Sequence, residues 1–364
     1  MTHLLQSETL SAEAGSQPGS QMARFPHPVG IDDWQIACLA RELRGKPLKV
    51  TLRNHPIVVF RDGSGLPVAL EDRCAHRNVP LSLGRVCNGR LQCAYHGWEY
   101  DSDGRVAHVP ALPPDAACPS ARVPKFRVLE QDGFIWIAPG SAGLSGDPPR
   151  FAHINEPGWS TFVMKTRFRG TVEACLENFL DCPHATFVHR FWFRSPSAKA
   201  VKAVIKTLPD GVVAEYFEEP RERSVVWSLL SPRGGVMRHT DRFIAPATSR
   251  VDYGFPNGWH YVITSSCTEV SASETEVFTV ISFRCGMLTP LIRLYFEPLA
   301  RFIIRQDVKI LGAQQANITR FGSPCFTSTR SDLLGPQIAA WRRALRARET
   351  PPHIGSEIHV DIRL

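Results

Sequence analysis

C-A-H-R-N, residues 74–78, and C-A-Y-H-G-W-E-Y, residues 93–100, decide the fold of the first third of the chain. The first segment carries Cys74 and His76, and the second, after sixteen intervening residues, carries Cys93 and His96. Two thiolates and two imidazoles on two short loops make a complete four-ligand metal site. The pattern therefore predicts a module that holds the two loops side by side.

The division of the ligands between the loops indicates which metal they bind. Structural zinc sites commonly pair Cys with Cys and His with His, and a zinc ribbon is the alternative here. In this chain each loop contributes one Cys and one His. That arrangement suits a Rieske [2Fe-2S] cluster, with Cys74 and Cys93 on one iron and His76 and His96 on the other.

The same region resembles a known family. The two loops, with Gly97, Trp98, Tyr100 and the D-S-D-G turn at 101–104, resemble the Rieske domain of ring-hydroxylating and demethylating oxygenases. The remaining cysteines show no comparable spacing, and we expect them to be reduced and mostly buried.

Short alternating segments bounded by turn residues predict an all-β Rieske [2Fe-2S] domain over residues 25–139. Residues 49–60 are predicted as one strand that leads, through a hairpin, toward the first ligand loop. A disordered tail is expected over 1–24, a linker over 140–150, rich in Gly, Ser and Pro, and a catalytic mononuclear iron domain over 151–364.

A second group of ligand-type residues lies in T-V-E-A-C-L-E-N-F-L-D-C-P-H-A-T-F-V-H, residues 171–189. Asn178, Asp181 and His184 recur every three residues, which predicts one side of a helix. His189 lies about 140° away from His184 on a regular helix, so the two could not reach one metal. We therefore expect the helix to end or break at Pro183.

Two imidazoles and one carboxylate form the facial triad of non-haem Fe(II) oxygenases. His184 and His189 would be the imidazoles, and the D-x2-H-x4-H pattern is similar to the iron motif of the resembled family.

A helix predicted over 291–321, bent near Pro298, places Ile303, Asp307, Ile310 and Gln314 on one stripe. Asp307 is the expected third ligand, since its Q-D-V-K-I-L-G-A-Q-Q segment resembles the family's third-ligand helix; the alternatives are Asp332 and Asp241.

Asp181 and Asn178 are expected to have roles beside the metal. Metal-bound His commonly donates its second N–H to a carboxylate. The resemblance implies that Asp181 links His184 to the Rieske His96 of a neighbouring subunit in a head-to-tail homotrimer. Asn178 matches a family position near the iron; its alternative role is to pair with helix backbone.

The resemblance implies a terminal oxygenase that uses O2 and externally supplied electrons for monooxygenation, by hydroxylation or oxidative demethylation, of an aromatic or polycyclic small molecule. Aromatic cis-dihydroxylation is the alternative reaction, and an electron-transfer iron-sulfur protein is the alternative class. No G-x-G-x-x-G occurs, so NAD(P)H is expected to be oxidised by a separate reductase, alone or through a ferredoxin.

Composition limits the partners. The chain has 364 residues, 43% of them hydrophobic, and a net charge of +7. Its basic residues are dispersed, so nucleic acid is not expected, and the charge would instead help an acidic electron donor to dock. No apolar run has the length of a membrane span and the N-terminus does not resemble a secretory signal, so a cytoplasmic location is expected.

The second domain is predicted from its strand pattern. Segments 212–218, 224–230, 261–270 and 277–283 are each predicted as a strand of an antiparallel sheet. The resemblance implies a helix-grip (START-like) catalytic domain, and the whole chain is therefore expected to be α+β. Residues 331–348 predict a C-terminal helix with Pro336 in its first turn and Ile338, Trp341 and Leu345 on one face.

Overall fold

The computed structural model describes residues 33–138, 146–192, 200–220, 225–231, 233, 235–350 and 354–363. The expected tail at 1–24 and residues 140–145 of the expected linker lie outside these ranges. Within the described residues, no helix is both long and apolar enough to cross a bilayer.

The described strands and helices have the following bounds in chain order: β1 Gln35–Leu39, β2 Leu48–Leu52, β3 His55–Arg61, β4 Pro67–Glu71, β5 Arg85–Cys87, β6 Arg90–Gln92, β7 Glu99–Tyr100, β8 Val106–His108, β9 Lys125–Gln131, β10 Phe134–Ala138, β11 Ser160–Arg169, α1 Val172–Leu180, α2 His184–Phe187, β12 Ala200–Leu208, β13 Gly211–Pro220, α3 Val225–Leu230, β14 Val236–Ile244, β15 Thr248–Gly254, β16 His260–Ser271, β17 Glu274–Arg284, α4 Thr289–Phe321, α5 Gly335–Ala347 and β18 Glu357–Arg363.

The N-terminal β domain contains a six-stranded sheet, in the order β1-β10-β9-β4-β3-β2, and a four-stranded sheet, β5-β6-β7-β8. Strand β3 lies between two hydrophobic cores because successive side chains point to opposite faces. Val58 and Phe60 pack in the core that contains Cys74. Their neighbours Ile57 and Val59 pack in the other core. The ligand loops are therefore supported directly by a buried strand.

The single strand predicted over 49–60 is wrong, because the chain turns back within it. Arg53 and Asn54 separate β2 from β3 and have φ angles of 49° and 62°. Two consecutive left-handed residues are typical of a tight hairpin turn, and here the glycine that usually marks one is absent. The turn is held by the second domain, since its two N–H groups donate to the carbonyls of Glu269 and Val270 over 2.8 and 2.7 Å.

The second domain is built on an eight-stranded antiparallel sheet in the order β11-β17-β16-β15-β14-β13-β12-β18. One face packs against α1, α4 and α5 in a single large core. On the opposite face, Phe278 and Val280 of β17 pack against Trp34 and Trp136 of the N-terminal domain. The predicted α+β class, with an N-terminal β domain and an antiparallel sheet covered by helices, is confirmed.

The strand predicted over 224–230 is wrong, because this segment contains helix α3. Its valines favour a strand by propensity. The residues it buries are Val226, Trp227 and Leu230, which have the spacing of one helical face. Packing of that face in the large core overrides the local preference.

Helix α4 confirms the helix predicted over 291–321, but the predicted stripe is wrong beyond Asp307. Ile310 is 47% exposed, and Gln314 is exposed as well. The buried stripe instead advances by four residues at a time after Leu299, through Ile303, Asp307 and Leu311. Asp307 is thus enclosed on a face that is otherwise apolar.

The predicted C-terminal helix is confirmed as α5, with Pro336 in its first turn. Ile338 and Trp341 are buried as expected, whereas Leu345 is only half-buried. Arg342 is buried in its place, and it pairs with Glu173 at the start of α1. Helix α5 therefore fixes the helix that leads into the second group of ligand-type residues.

Candidate active site

The two Cys-His loops have the same backbone turn. In each loop the cysteine N–H donates to the carbonyl five residues later: Cys74 to Val79 over 2.9 Å, and Cys93 to Trp98 over 2.8 Å. Each cysteine carbonyl accepts from the fourth following residue, Asn78 or Gly97. Both of those residues are left-handed, with φ of 59° and 72°. Asparagine and glycine are the residues that most readily adopt this conformation.

The four side chains of these loops meet with the thiols inside and the imidazoles outside. Cys74 and Cys93 are 2% and 3% exposed, whereas His96 is exposed and His76 is half-buried. The imidazole centroids lie 4.7 Å apart, and the His76 ring stacks on Trp98 at 4.6 Å. Nδ1 of His76 is buried without a hydrogen-bond partner, as a nitrogen reserved for a metal would be.

Tyr100 contacts the buried side of this group. Its hydroxyl lies 3.0 Å from Sγ of Cys74 and accepts a hydrogen bond from the N–H of Ala75. Burial, reinforced by Cys74, raises the pKa of Tyr100 well above its usual value, so the hydroxyl keeps its proton. It can therefore donate to a thiolate at Cys74.

The second group of ligand-type residues lies where α1 ends. Helix α1 stops at Leu180, and Asp181 has extended backbone with ψ of 101°. Pro183 then precedes the short helix α2, which begins at His184. The predicted break is confirmed, but Asp181 lies outside the helix rather than on one side of it with Asn178. The break turns His184 toward His189, and their ring centroids are 5.1 Å apart.

Asp307 approaches both imidazoles from α4. Its Oδ1 lies 3.7 Å from Nε2 of His184 and 3.1 Å from Nε2 of His189. Although the second distance is short, this buried oxygen has no partner in hydrogen-bond geometry. The ligand atoms of the three residues all lie within 4.8 Å of one another. Two imidazole nitrogens and a carboxylate oxygen grouped in this way fit a bound cation.

Both histidines present Nε2 because Nδ1 is occupied. Nδ1 of His184 donates to the backbone carbonyl of Asp181. Nδ1 of His189 lies 2.7 Å from Oε1 of Gln306, an oxygen that can only accept. Such partners fix the tautomer and orientation of a metal-ligating imidazole. Sequence reasoning missed Gln306, although it directly precedes Asp307.

The electrostatics of the two imidazoles differ. Burial lowers the pKa of His184, so its neutral form is favoured. Burial also acts to lower the pKa of His189, but the nearby Asp307 carboxylate raises it overall. The proximity of Asp307 thus favours the protonated form of His189, and a metal bound between them would displace that proton.

Asp181 and Asn178 lie at the edge of this group. Oδ2 of Asp181 is 3.9 Å from Nδ1 of His184, so its backbone carbonyl, and not its carboxylate, makes the hydrogen bond. Burial, with smaller contributions from Asp332 and Glu177, raises the pKa of the Asp181 carboxyl to about 6. Oδ1 of Asn178 is buried without a hydrogen-bond partner. Asn178 also lines the cavity described next.

A cavity of about 130 Å³ adjoins His184, His189 and Asp307. Helix α4 lines one side of it with apolar residues that include Phe296 and Ile303. The opposite wall is the helix-facing side of the large sheet, on which residues in register form rows across the strands. A centre that combines ligand-type residues with a mostly apolar cavity is suited to reactions on a small organic molecule.

One row on the sheet is aromatic. Tyr216, His239, Tyr253, Tyr261 and Phe283 lie on successive strands in register. Their ring centroids are 4.3, 4.3, 6.1 and 4.8 Å apart, with interplanar angles of 20° or less. The stacked rings make this wall rigid, because each ring limits the rotation of the next.

A second row carries hydroxyl groups. Ser249, Ser265 and Thr279 lie side by side on β15, β16 and β17, and all three line the cavity. Oγ of Ser265 is 3.0 Å from Oγ1 of Thr279. Between the two rows run Val251, Ile263 and Ile281, which give the wall an apolar centre.

Asp241 is the acidic residue of the sheet wall, and its carboxylate is fully engaged. Oδ2 accepts from the hydroxyl of Tyr216 over 2.9 Å and from the thiol of Cys182 over 3.3 Å. Oδ1 accepts from Nε2 of His239 over 3.0 Å. Cys182, His239 and Asp241 form a second cluster of ligand-type atoms within 4.8 Å. Their mutual hydrogen bonds account for it without a metal.

The alternative third ligands do not reach the two histidines. Asp241 is held by the three donors just described, and Asp332 accepts from the N–H of Thr329 at the surface. Asp307 is the carboxylate that the fold brings to His184 and His189. All ten cysteines are free, and five of those outside the first two loops are buried.

Comparison with protein families matches both parts of the chain. The Rieske [2Fe-2S] domain profile matches residues 33–127. The profile of the vanillate O-demethylase oxygenase C-terminal domain matches residues 168–349, half of the chain. The first match contains both Cys-His loops, and the second contains His184, His189 and Asp307.

Individual relatives agree with these matches. The chain is 38% identical to the oxygenase component of dicamba O-demethylase from Stenotrophomonas maltophilia over 160 residues, 43% of this chain and 47% of the relative. It is 38% identical to the methylxanthine N1-demethylase NdmA of Pseudomonas putida over 163 residues, 43% of this chain and 46% of the relative. The alignments thus span about half the length of these curated relatives.

Solved structures show the same fold over most of the chain. Dicamba monooxygenase bound to dicamba superimposes with a TM-score of 0.77 at 24% identity, covering 90% of this chain and 99% of that one. NdmA with caffeine superimposes with a TM-score of 0.73 at 25% identity, covering 89% of this chain and 96% of the other.

Proposed function

This chain belongs to the Rieske oxygenases that carry the vanillate O-demethylase oxygenase C-terminal domain, and on that premise we propose that it is the terminal oxygenase of a multicomponent system. The proposed reaction is monooxygenation, by hydroxylation or oxidative demethylation, of an aromatic or polycyclic small molecule. The observation that carries the proposal is the convergence of His184, His189 and Asp307 beside a mostly apolar cavity.

In the Rieske domain, Cys74, Cys93, His76 and His96 would hold the [2Fe-2S] cluster. The buried thiols, the outward imidazoles and the orphan Nδ1 of His76 support this assignment. A cluster held in this way would supply one-electron transfer at a raised potential. The imidazole side would be the side at which electrons enter or leave, because it is the exposed one.

In the second domain, His184, His189 and Asp307 would hold a mononuclear Fe(II). The support is the orientation of both Nε2 atoms and the buried Oδ1 of Asp307, which lies 3.7 and 3.1 Å from them. This ligand set would leave positions open, at which iron supplies activation of dioxygen. The protein's own contribution is to orient the imidazoles, to exclude water with the apolar wall and to fix the target carbon.

Asp181 is proposed to connect the two centres between subunits. The family resemblance implies a homotrimer in which this aspartate joins His184 to His96 of the neighbouring chain. The half-buried carboxylate beside His184 supports that role. Asn178, which lines the cavity, is proposed to act near the reacting atoms.

Electrons are proposed to come from a separate reductase, directly or through a ferredoxin, with NAD(P)H oxidised on that partner. The relatives with demethylase names favour monooxygenation. A relative named as the oxygenase subunit of 3-chlorobenzoate-3,4-dioxygenase, 32% identical over 159 residues, keeps cis-dihydroxylation as the alternative.

Iron analysis of the purified protein tests this function. We expect two cluster irons and one mononuclear iron in each chain. His184→Ala should lose the mononuclear iron and any product formation with a surrogate reductase, while the visible spectrum of the cluster persists. Two irons in the wild type would instead indicate an electron-transfer protein, and zinc in a colourless protein would reject both functions.

A further inference from the structure

The described lining of the cavity carries carboxylates and imidazoles. Among the described residues that line it, the acidic ones are Asp181, Asp241 and Asp307, and the basic ones are the imidazoles His184 and His189. No lysine or arginine occurs in the described part of the lining. Within that described lining, an anionic ligand would therefore meet carboxylates and no permanent cation.

The imidazoles near the cavity already have other partners. His184 and His189 belong to the proposed iron site with Asp307. His239, which lies on the same sheet face, points its Nε2 at Asp241. Among the described residues, a substrate carboxylate would thus be buried without a charged partner, at a cost that usually exceeds what hydrogen bonds alone return. Binding it to the iron itself would compete with oxygen for the open positions.

A neutral polar group, in contrast, finds partners in the hydroxyl row. Ser265 and Thr279 share one hydrogen bond, which uses one of their two hydroxyl protons. Their side chains make no other hydrogen bond within the described residues. The pair is 3% exposed at both positions and lines the cavity, so a ligand there can satisfy its remaining proton and lone pairs. A carbonyl, amide, ether or hydroxyl oxygen would do so.

We propose that the substrate is a molecule without net charge at neutral pH, held by Ser265 and Thr279 through a neutral hydrogen-bonding group. Its apolar body lies against Val251, Ile263 and Ile281, which form the centre of the same wall. The inference rests on the proposed function in one respect, that this cavity is the substrate site. It adds that the acidic lining and the hydroxyl row together select substrates without net charge.

Binding to matched probe pairs tests the selection. Each pair consists of a methoxy-substituted benzamide and the benzoate of the same ring, together with the corresponding naphthalene compounds. Titration calorimetry on the iron-loaded protein, without oxygen or reductase, should find at least one amide that binds, about ten-fold or more tightly than its carboxylate. A carboxylate that binds as tightly as its amide, or a panel in which no amide binds, overturns the inference.

Variants of the hydroxyl row test the contact. Thr279→Val keeps the shape and removes one hydroxyl, and it should weaken binding of the amide about three- to ten-fold. The double variant Ser265→Ala/Thr279→Val should weaken it further. Thr264→Val is the matched control: this buried residue adjoins Ser265 on β16 and is in register with Val280, which packs on the other face of the sheet. Equal effects of Thr264→Val and Thr279→Val would refute the contact.

These measurements are independent of turnover. If the protein binds amides selectively but forms no product, the proposed reaction fails and the charge selection stands. If product forms from carboxylates and amides alike, the reaction stands and the selection fails. Unfolding temperatures of all variants, measured alongside, separate a lost contact from a lost fold.

Discussion

Nδ1 of His189 and Oε1 of Gln306 are joined by a hydrogen bond of 2.7 Å, which ties the chain after α2 to the helix that carries Asp307. Because a carboxamide oxygen can only accept, this contact sets the tautomer of His189 and leaves Nε2 for the centre. Gln306 is therefore expected to be a positioning residue for the proposed iron site.

Replacement of Gln306 should loosen the iron without unfolding the domain. Gln306→Leu should lower Fe(II) affinity about 10–100-fold, the usual effect of removing a partner of a metal-bound histidine. Gln306→Glu, which keeps an acceptor, should retain most of the affinity. Competition with a chelator measures the effect. Gln314→Leu on the exposed face of α4 is the control, and a comparable loss there would argue against the role of Gln306.

Three aspartates can be compared as the third ligand. Asp307→Asn should lower Fe(II) affinity by at least about 100-fold, since it removes a ligand and not merely a partner of one. Asp332→Asn should leave the iron content unchanged, and Asp241→Asn should affect the sheet wall and stability more than iron. Iron content and cluster absorbance are measured together. Retention of the mononuclear iron in Asp307→Asn would move the assignment to another acid.

Gly97 should be required for the second cluster loop. Its φ is 72°, and a Cβ there would lie 3.0 Å from Cγ of Pro110. Gly97→Ala should cost about 1–2 kcal/mol of backbone strain and displace the loop, so the cluster absorbance should fall. Gly133→Ala is the control: φ is 79° there, so the backbone strain is similar, but nothing lies within 4 Å of the added Cβ. It should lose stability but keep the absorbance; equal cluster loss in both variants would contradict the loop argument.

The ion pair between Glu173 and Arg342 should make stability depend on acid pH. Nε of the buried Arg342 donates to Glu173 over 2.7 Å. Burial acts to raise the pKa of Glu173, but Arg342 and Arg346 lower it overall below the usual 4.5. A lowered pKa means that the contribution is present above pH 4.5 and is lost as the pH falls through the lower, folded-state value.

Glu173→Gln should accordingly lower the free energy of unfolding by about 3–5 kcal/mol at pH 7, because it leaves a buried guanidinium without its charge partner. The difference from the wild type should shrink below pH 4.5. Denaturant unfolding at several pH values measures it. Glu297→Gln removes exposed pairs to Arg293 and Arg301 and should cost less than about 1 kcal/mol. A pH-independent difference for Glu173→Gln would exclude the linkage.

Local chemistry was readable from the sequence. The spacing of Cys74, His76, Cys93 and His96 predicts two loops that meet, and the structure brings them together. Pro183 predicts the end of a helix, because proline removes a donor, and α1 ends shortly before it. Asp307 could be predicted as a buried acid of α4, although the predicted buried face of that helix is correct only as far as this residue.

Features that depend on strand register could not be read in advance. Tyr216, His239 and Asp241 meet Cys182 only because β13 and β14 pair in register beside the end of α1. Ser249, Ser265 and Thr279 form a row for the same reason, and no spacing along the chain reveals it. Helix α3 was predicted as a strand because its burial is decided by tertiary packing.

The proposed monooxygenation is tested most directly by turnover under ¹⁸O2 with a surrogate reductase and a substrate found by screening neutral aromatic compounds. We expect one labelled oxygen atom in the hydroxylated product, or in the aldehyde released by demethylation and none in the demethylated ring product, and no product from His184→Ala. Product formed equally by wild type and His184→Ala, or two labelled oxygens on adjacent carbons, would contradict it.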